Sequence, residues 1–184
     1  MQPRIPRQTA GDSTVPGLDN DAGLSAELAA VVTAARRRAF RDGDRHIDTA
    51  HLLHSLLEYD SEAYAALDDG GPRIARLLGY LVQRSIGYGL RWQDGVEDSG
   101  GLPVTTTAEG FSPLAAVAME QARARAARRS GTRARGLDLL ATIVEDPQAR
   151  AVEVLARAGI DTSDLLPRIE RGLEEYAAGG EAGH

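Results

Sequence analysis

Apolar residues fall in two long stretches of helical period, separated by a stretch that has none. From Leu24 to Ser85 they recur three and four positions apart, and they do so again from Phe111 to Tyr176. Between these, Ile86 to Gly110 is rich in glycine and threonine and reads as a linker. Residues 1–23 carry Gly, Pro, Asp and Ser without periodicity, which predicts a disordered N-terminal segment. Residues 177–184 are small and polar and read as a flexible tail.

The two periodic stretches repeat one another. At an offset of 87 residues, Ser25 falls on Ser112, Ala35 on Ala122, Arg36 on Arg123, Arg38 on Arg125 and Ala39 on Ala126. The register holds without gaps to the leucine pairs Leu52-Leu53 and Leu139-Leu140. Such self-similarity marks a duplicated supersecondary unit. The domain is therefore predicted over residues 24–176, with repeat one at 24–85, the linker at 86–110 and repeat two at 111–176.

Each repeat reads as four helices. The first opens at Ser25 or Ser112, both good N-caps, and Pro113 takes the first helical position of the second copy. It runs to about Arg41 or Arg129. Leu28, Val31, Val32, Ala35 and Ala39 make its apolar stripe in repeat one; Leu114, Val117, Ala118, Gln121, Ala122 and Arg125 make a weaker one in repeat two. The second helix begins near Asp48-Thr49 and near Gly136. The third is short, 61–67 and 148–158, with Gly159 placed for a left-handed C-cap. The fourth covers 72–85 and, from Ser163 or Asp164, runs to Tyr176, with Pro167 in its first turn where proline is tolerated. The fold class predicted is all-α: eight helices as two pseudo-twofold four-helix repeats.

Composition narrows what such a fold can do. Of 184 residues only 4% are aromatic, which favours helix over strand and a core of Leu, Ala, Val and Ile. There is no cysteine, so thiolate metal sites, thiol nucleophiles and disulfides are excluded. There is no lysine either; all 21 basic residues are arginine. That excludes a phosphate-loop lysine, a Schiff base and a Ser–Lys dyad. No apolar run approaches the length of a membrane span, and the polar, proline-containing start lacks the apolar core of a secretory signal. A cytoplasmic protein is expected, with no membrane partner.

Candidate chemistry is sparse. His46, His51 and His54 cluster in sequence, and His51 and His54 share a helix face, but no fourth ligand stands at a telling spacing, so no metal and no cofactor are expected. Six arginines against one acid between Phe111 and Arg135 invite nucleic acid. The formal net charge of −6 and the absence of interleaved aromatics argue instead for solvated, cross-paired helix faces and no nucleic-acid partner. No nucleophile elbow or paired catalytic motif occurs, so no enzyme is expected. Tyr88 and Trp92 are expected to pin the linker to the helical body.

Three strings carry a family resemblance. Phe111-Ser112-Pro113 opens the second repeat, Ile47-Asp48-Thr49-Ala50-His51-Leu52-Leu53 lies in the first, and the second closes on Ala151-Val152-Glu153-Val154-Leu155-Ala156-Arg157-Ala158-Gly159-Ile160. With the duplication, these resemble the N-terminal domain of the Clp family of ATP-dependent unfoldases, whose repeats show F-T-x-x-A, G-T-E-H-[IL]-L and a closing V-A-x-x-[VIL]-L-x-x-[LAI]-G-[IV]. The resemblance implies a stand-alone recognition domain without its motor, one that binds peptides, Clp adaptors or substrate proteins. Actinobacterial members bind cyclic peptide antibiotics near the start of the second repeat, and the arginine- and alanine-rich composition fits such a genome. It thus implies a peptide patch at Phe111, Leu24, Ser112 and Pro113, and an accessory or decoy role beside a Clp unfoldase. The family's phosphoarginine glutamates fall on Ala50 and Leu137, so that activity is expected to be lost or much reduced. The alternative is a regulatory protein–protein interaction scaffold unrelated to Clp substrates.

Overall fold

A computed structural model describes residues 21–86, 96–97, 110–130 and 132–181. Tyr88, Trp92 and residues 1–20 lie outside the described residues. Within them run eight helices: α1 (Ala26–Asp42), α2 (Thr49–Tyr59), α3 (Ser61–Leu67), α4 (Arg73–Ser85), α5 (Pro113–Ser130), α6 (Gly136–Glu145), α7 (Arg150–Arg157) and α8 (Thr162–Glu181). The starts of α1 and α5, and of α2 and α6, are each 87 residues apart; α3 and α7, and α4 and α8, are 89 apart. The all-α class and the helix order are those the periodicity predicts.

The helix ends follow local chemistry. Ser25 Oγ accepts from Leu28 N at 3.1 Å, and Ser112 Oγ accepts from Ala115 N at 3.1 Å, so both predicted N-caps are made. Asp48 caps α2 through His51 N at 2.9 Å. Asp60 caps α3 through Glu62 N and Ala63 N, at 3.1 and 2.9 Å. After α1, Gly43 takes φ 76°, and after α7, Gly159 takes φ 80°, a backbone region that side chains disfavour.

Three boundaries differ from the sequence reading by two residues or more. Residues 21–23 form a turn whose Gly23 carbonyl is bonded to Ala134 N. Helix α7 starts at Arg150 rather than 148, because Asp146 and Ala149 close a turn before it. Helix α8 continues past Tyr176 to Glu181, since nothing at Ala177 or Ala178 breaks a helix already running.

Helices α2 and α6 sit in the middle. Every residue from Thr49 to Leu57 and from Gly136 to Val144 is buried, as expected for helices covered on all sides. Helix α1 packs on α2 and α5 on α6. The repeats then interlock: α4 packs on α7 of the other repeat, and α8 packs on α3. One continuous core results, with Leu28, Leu52, Leu53, Leu139, Leu140 and Leu155 fully buried. The predicted α1 stripe is the buried one. On α5 the buried row is instead Leu114, Ala115, Ala118, Met119, Ala122 and Ala126. Gln121 is exposed, and Arg125 turns out to reach Glu145 and Glu170.

Candidate binding site

Two junctions join the repeats, and both are built from the same backbone pattern. At the first, Ile47 N donates to Gly110 O at 2.7 Å and Ser112 N donates to Ile47 O at 2.9 Å. At the second, Ala134 N donates to Gly23 O and Ser25 N to Ala134 O, each at 2.8 Å. The bridges Ile47–Phe111 and Leu24–Ala134 are thus related by the same 87-residue offset. Each sets an N-cap serine beside the start of a central helix from the other repeat.

The first junction is filled by Glu97, a residue of the linker. The residue is 4% exposed. It accepts from Thr49 N at 2.8 Å, Ser112 Oγ at 3.0 Å and Arg150 N at 2.9 Å, and the Thr49 hydroxyl donates to it as well. Ala151 N donates in turn to Thr49 Oγ1 at 3.1 Å. Glu97 therefore satisfies the starts of α2 and α7 together, and α7 needs it because Ala149 offers no side-chain cap. Burial and the neighbouring Asp48 push the Glu97 carboxyl above its ordinary pKa, against these hydrogen bonds.

Among the described residues, none fills the second junction in this way. Asp60 reaches across from repeat one instead, and its carboxylate lies so close to Gly136 that a Cβ there would collide with it. Beside this contact a cavity of about 640 Å³ opens, lined by Ser25, Glu27, Tyr59, Asp60, Glu62, Arg135 and Tyr176 among others. The Arg135 guanidinium lies 3.5 Å over the Tyr176 ring and pairs with Glu62. A second hollow of about 550 Å³ shares Glu62 and Tyr176 and is lined also by Leu137, Arg168 and Arg171. Together they form a groove with a carboxylate and an exposed aromatic at its centre and arginines on both sides.

The residues assigned to the peptide patch divide between the junctions. Leu24 is 3% exposed beside the cavity, next to Ser25. Phe111 and Ser112 are buried at the Glu97 junction, with Pro113 half-buried. The backbone pairing separates them, because each repeat's opening residues dock on the other repeat. Ala50 and Leu137 are buried, and Leu137 forms part of the groove wall. The exposed phenylalanine is Phe40, at 87%. Sequence reasoning missed Glu97, Glu62 and Tyr176. Glu97 lies in a glycine-rich stretch with no period, so no local signal marked it. The Ala149 N-cap without a capping side chain was the available clue.

The arginine clusters are largely cross-paired. Arg38 meets Glu58 at 2.6 Å, and Arg129 grips Asp138 with two bonds of 2.6 and 3.0 Å. His51 and His54 have different partners. His54 faces Arg38 and Glu58; burial and then Arg38 push its pKa down to about 4. His51 is fully buried, with Nδ1 3.0 Å from Asp48 Oδ1 and 3.1 Å from Asp48 N. Burial alone would lower its pKa, but Asp42, Asp44 and Asp48 outweigh it and raise it to about 10. Asp48 is held well below the carboxylate range: burial opposes this, and His51 and Arg84 overcome it.

In fold, the chain is similar to the N-terminal domain of the caseinolytic protease-associated chaperone ClpD from Arabidopsis thaliana. The superposition has a TM-score of 0.61 at 15% identity and covers 83% of this chain and 96% of that one. The fold is thus that of a Clp N-terminal domain. No family model and no curated protein matches the sequence. Among the described residues, no helix is long and apolar enough to cross a membrane.

Proposed function

We propose that this chain is a non-catalytic binding module of the Clp N-terminal type that seats a peptide segment in the groove around Tyr176. The observation that carries this reading is the open second junction. The same backbone frame is closed at the first junction by Glu97 and left as a cavity at the second. A half-open groove with a few convergent polar groups and exposed aromatic surface suits a peptide side chain. Glu62 and Asp60 supply acceptors, Arg135 a donor, and Tyr59 and Tyr176 the apolar faces.

The partner class follows the fold likeness: a substrate protein, an adaptor or a cyclic peptide antibiotic. The chain then acts in the cytoplasm as an accessory or decoy of a Clp unfoldase. Phosphoarginine is a poor candidate, because buried apolar side chains stand at Ala50 and Leu137. Each missing charged hydrogen bond is worth about 1.5–3 kcal/mol, or roughly 10- to 100-fold in affinity.

Titration with cyclic and linear peptides tests this, following thermal stability and the emission of the single tryptophan, Trp92. At 100 times its dissociation constant a ligand adds about 2.7 kcal/mol. Tyr176→Ala and Glu62→Ala should each remove most of that gain. A gain that both variants retain refutes the groove, and no gain with any peptide refutes the reading as a whole.

A further inference from the structure

The repeat reaches further upstream than the helices. Gly110-Phe111-Ser112 leads into α5 and Gly23-Leu24-Ser25 into α1, at the same 87-residue offset. Asp98-Ser99 precedes the first string and Asp12-Ser13 the second, one residue out of that register. Each helical repeat is therefore entered through a similar stretch of chain. The two stretches also end alike: the Gly110 carbonyl accepts from Ile47 N and the Gly23 carbonyl from Ala134 N.

The first stretch closes the junction it leads into. Glu97, 14 residues before Phe111, turns back and fills the gap beside Thr49 and Ser112. The second stretch leads into the other junction, where the cavity of about 640 Å³ opens beside Ser25. Asp12 stands 12 residues before Leu24, so its return needs a loop of nearly the same length. Closure costs grow only with the logarithm of that length. From Asp12 to Asp21 the chain can span about 30 Å.

The cavity holds donors for a carboxylate. Ser112 Oγ accepts from Ala115 N and gives its own proton to Glu97. Ser25 Oγ accepts from Leu28 N in the same way, and its proton has no acceptor among the described residues. Arg135 Nη1 is buried without a hydrogen-bond acceptor, while Nη2 pairs with Glu62. Arg133 lines the same cavity and pairs with none of the described residues.

The residue before each central helix tips the balance. Asp48 stands before α2 and opposes the charge of Glu97. Its counterpart at the 87-residue offset is Arg135, before α6. A carboxylate at the second junction thus meets a guanidinium where Glu97 meets an aspartate. The acids already there are engaged or in solvent. Asp60 accepts from two N–H groups of α3, Glu62 pairs with Arg135, and Glu27 is exposed.

We propose that the N-terminal segment folds back on the second junction and seats the Asp12 carboxylate against Ser25, Arg133 and Arg135, as Glu97 is seated in the first. One consequence rests on the groove reading: the chain occupies its own peptide site, and an incoming peptide must displace Asp12. A peptide that brings a carboxylate of its own is then favoured.

The chain has no cysteine, so a nitroxide on Ser13→Cys labels a single position. In the ¹⁵N-labelled full chain, the amide signals of Glu62, Gly136 and Tyr176 are expected to lose more than half their intensity. Adding Asp12→Asn should return most of it, and Asp12→Glu should keep the loss. Full intensity at all three signals, or equal loss in the Asp12→Asn chain, would overturn the proposal. In unlabelled protein, Asp12→Asn should tighten the binding of a glutamate-containing peptide on the order of 3- to 10-fold, because the site no longer starts occupied. Signal loss that depends on Asp12 supports the docking even where no peptide binds, an outcome that sinks the groove reading alone. A peptide bound equally by both chains, with no signal loss, overturns the docking and leaves the groove.

Discussion

The two junctions start from one backbone pattern and end in different chemistry. At the Ile47–Phe111 junction a linker carboxylate is drawn into the gap and satisfies four donors from three helices or their caps. At the Leu24–Ala134 junction the described residues leave the gap open, and Asp60 caps its own helix beside it. The difference comes from what each short third helix brings. Helix α3 carries its own acidic cap, whereas α7 begins after Ala149 and borrows one. A duplicated frame has thus become one structural joint and one cavity.

The largest expected effect falls on the sealed joint. Phe111→Ala removes a buried aromatic and should destabilise the chain by about 3–5 kcal/mol in chemical denaturation. Leu24→Ala, its counterpart at the other junction, should cost about 2–3 kcal/mol, because the neighbouring cavity lets the site relax. Equal losses would show that the two junctions pack alike.

Next in size is Glu97→Ala, which leaves buried donors at the starts of α2 and α7 without an acceptor. A loss of about 2–3 kcal/mol is expected, against about 1 kcal/mol for Asp60→Ala, which removes an ordinary N-cap. Amide hydrogen exchange should then rise at Arg150 and Ala151 in the Glu97 variant only. Unchanged protection there would break the assignment of Glu97 as the shared cap.

A pH series separates the two buried histidines of α2. His51 has its pKa raised to about 10 in the folded chain. Its contribution is therefore full below about pH 6.5, the unfolded value, and is lost as pH climbs toward 10. His54 has its pKa lowered to about 4. The unfolded chain then takes up its proton first, so stability falls as pH drops from about 6.5 to 4. His54→Gln should flatten the acid limb and leave the alkaline limb in place. A stability curve flat from pH 7 to 10 would contradict the carboxylate cage around His51.

The smallest effect is at the open junction. Tyr176 is 56% exposed, so Tyr176→Ala removes little buried area and one cation–π contact, for under about 1 kcal/mol. Stability should barely change while any peptide affinity falls, which is the contrast expected between a groove wall and a packing residue.

Much of this was legible beforehand because it is local. Ser25 and Ser112 cap their helices, Gly159 terminates α7, and the 87-residue repeat sets the starts of α1 with α5 and α2 with α6. Each depends on residues within a few positions of one another, or on a period that survives without knowledge of neighbours. The α5 stripe was misread where Val117, Gln121 and Arg125 were placed inward, because an alanine-rich helix gives periodicity little contrast.

What the tertiary structure alone decided lies between elements. Glu97 is 48 residues from Thr49 and 53 from Arg150. The groove joins Glu62 to Arg135, 73 residues apart. Asp42 and Asp44 reach His51 only once the α1–α2 loop has folded back. Helical period reports which face of a helix is apolar. It does not report which helix of the other repeat will cover that face, nor which buried carboxylate will answer which unpaired donor, and those pairings are what made one junction a joint and the other a cavity.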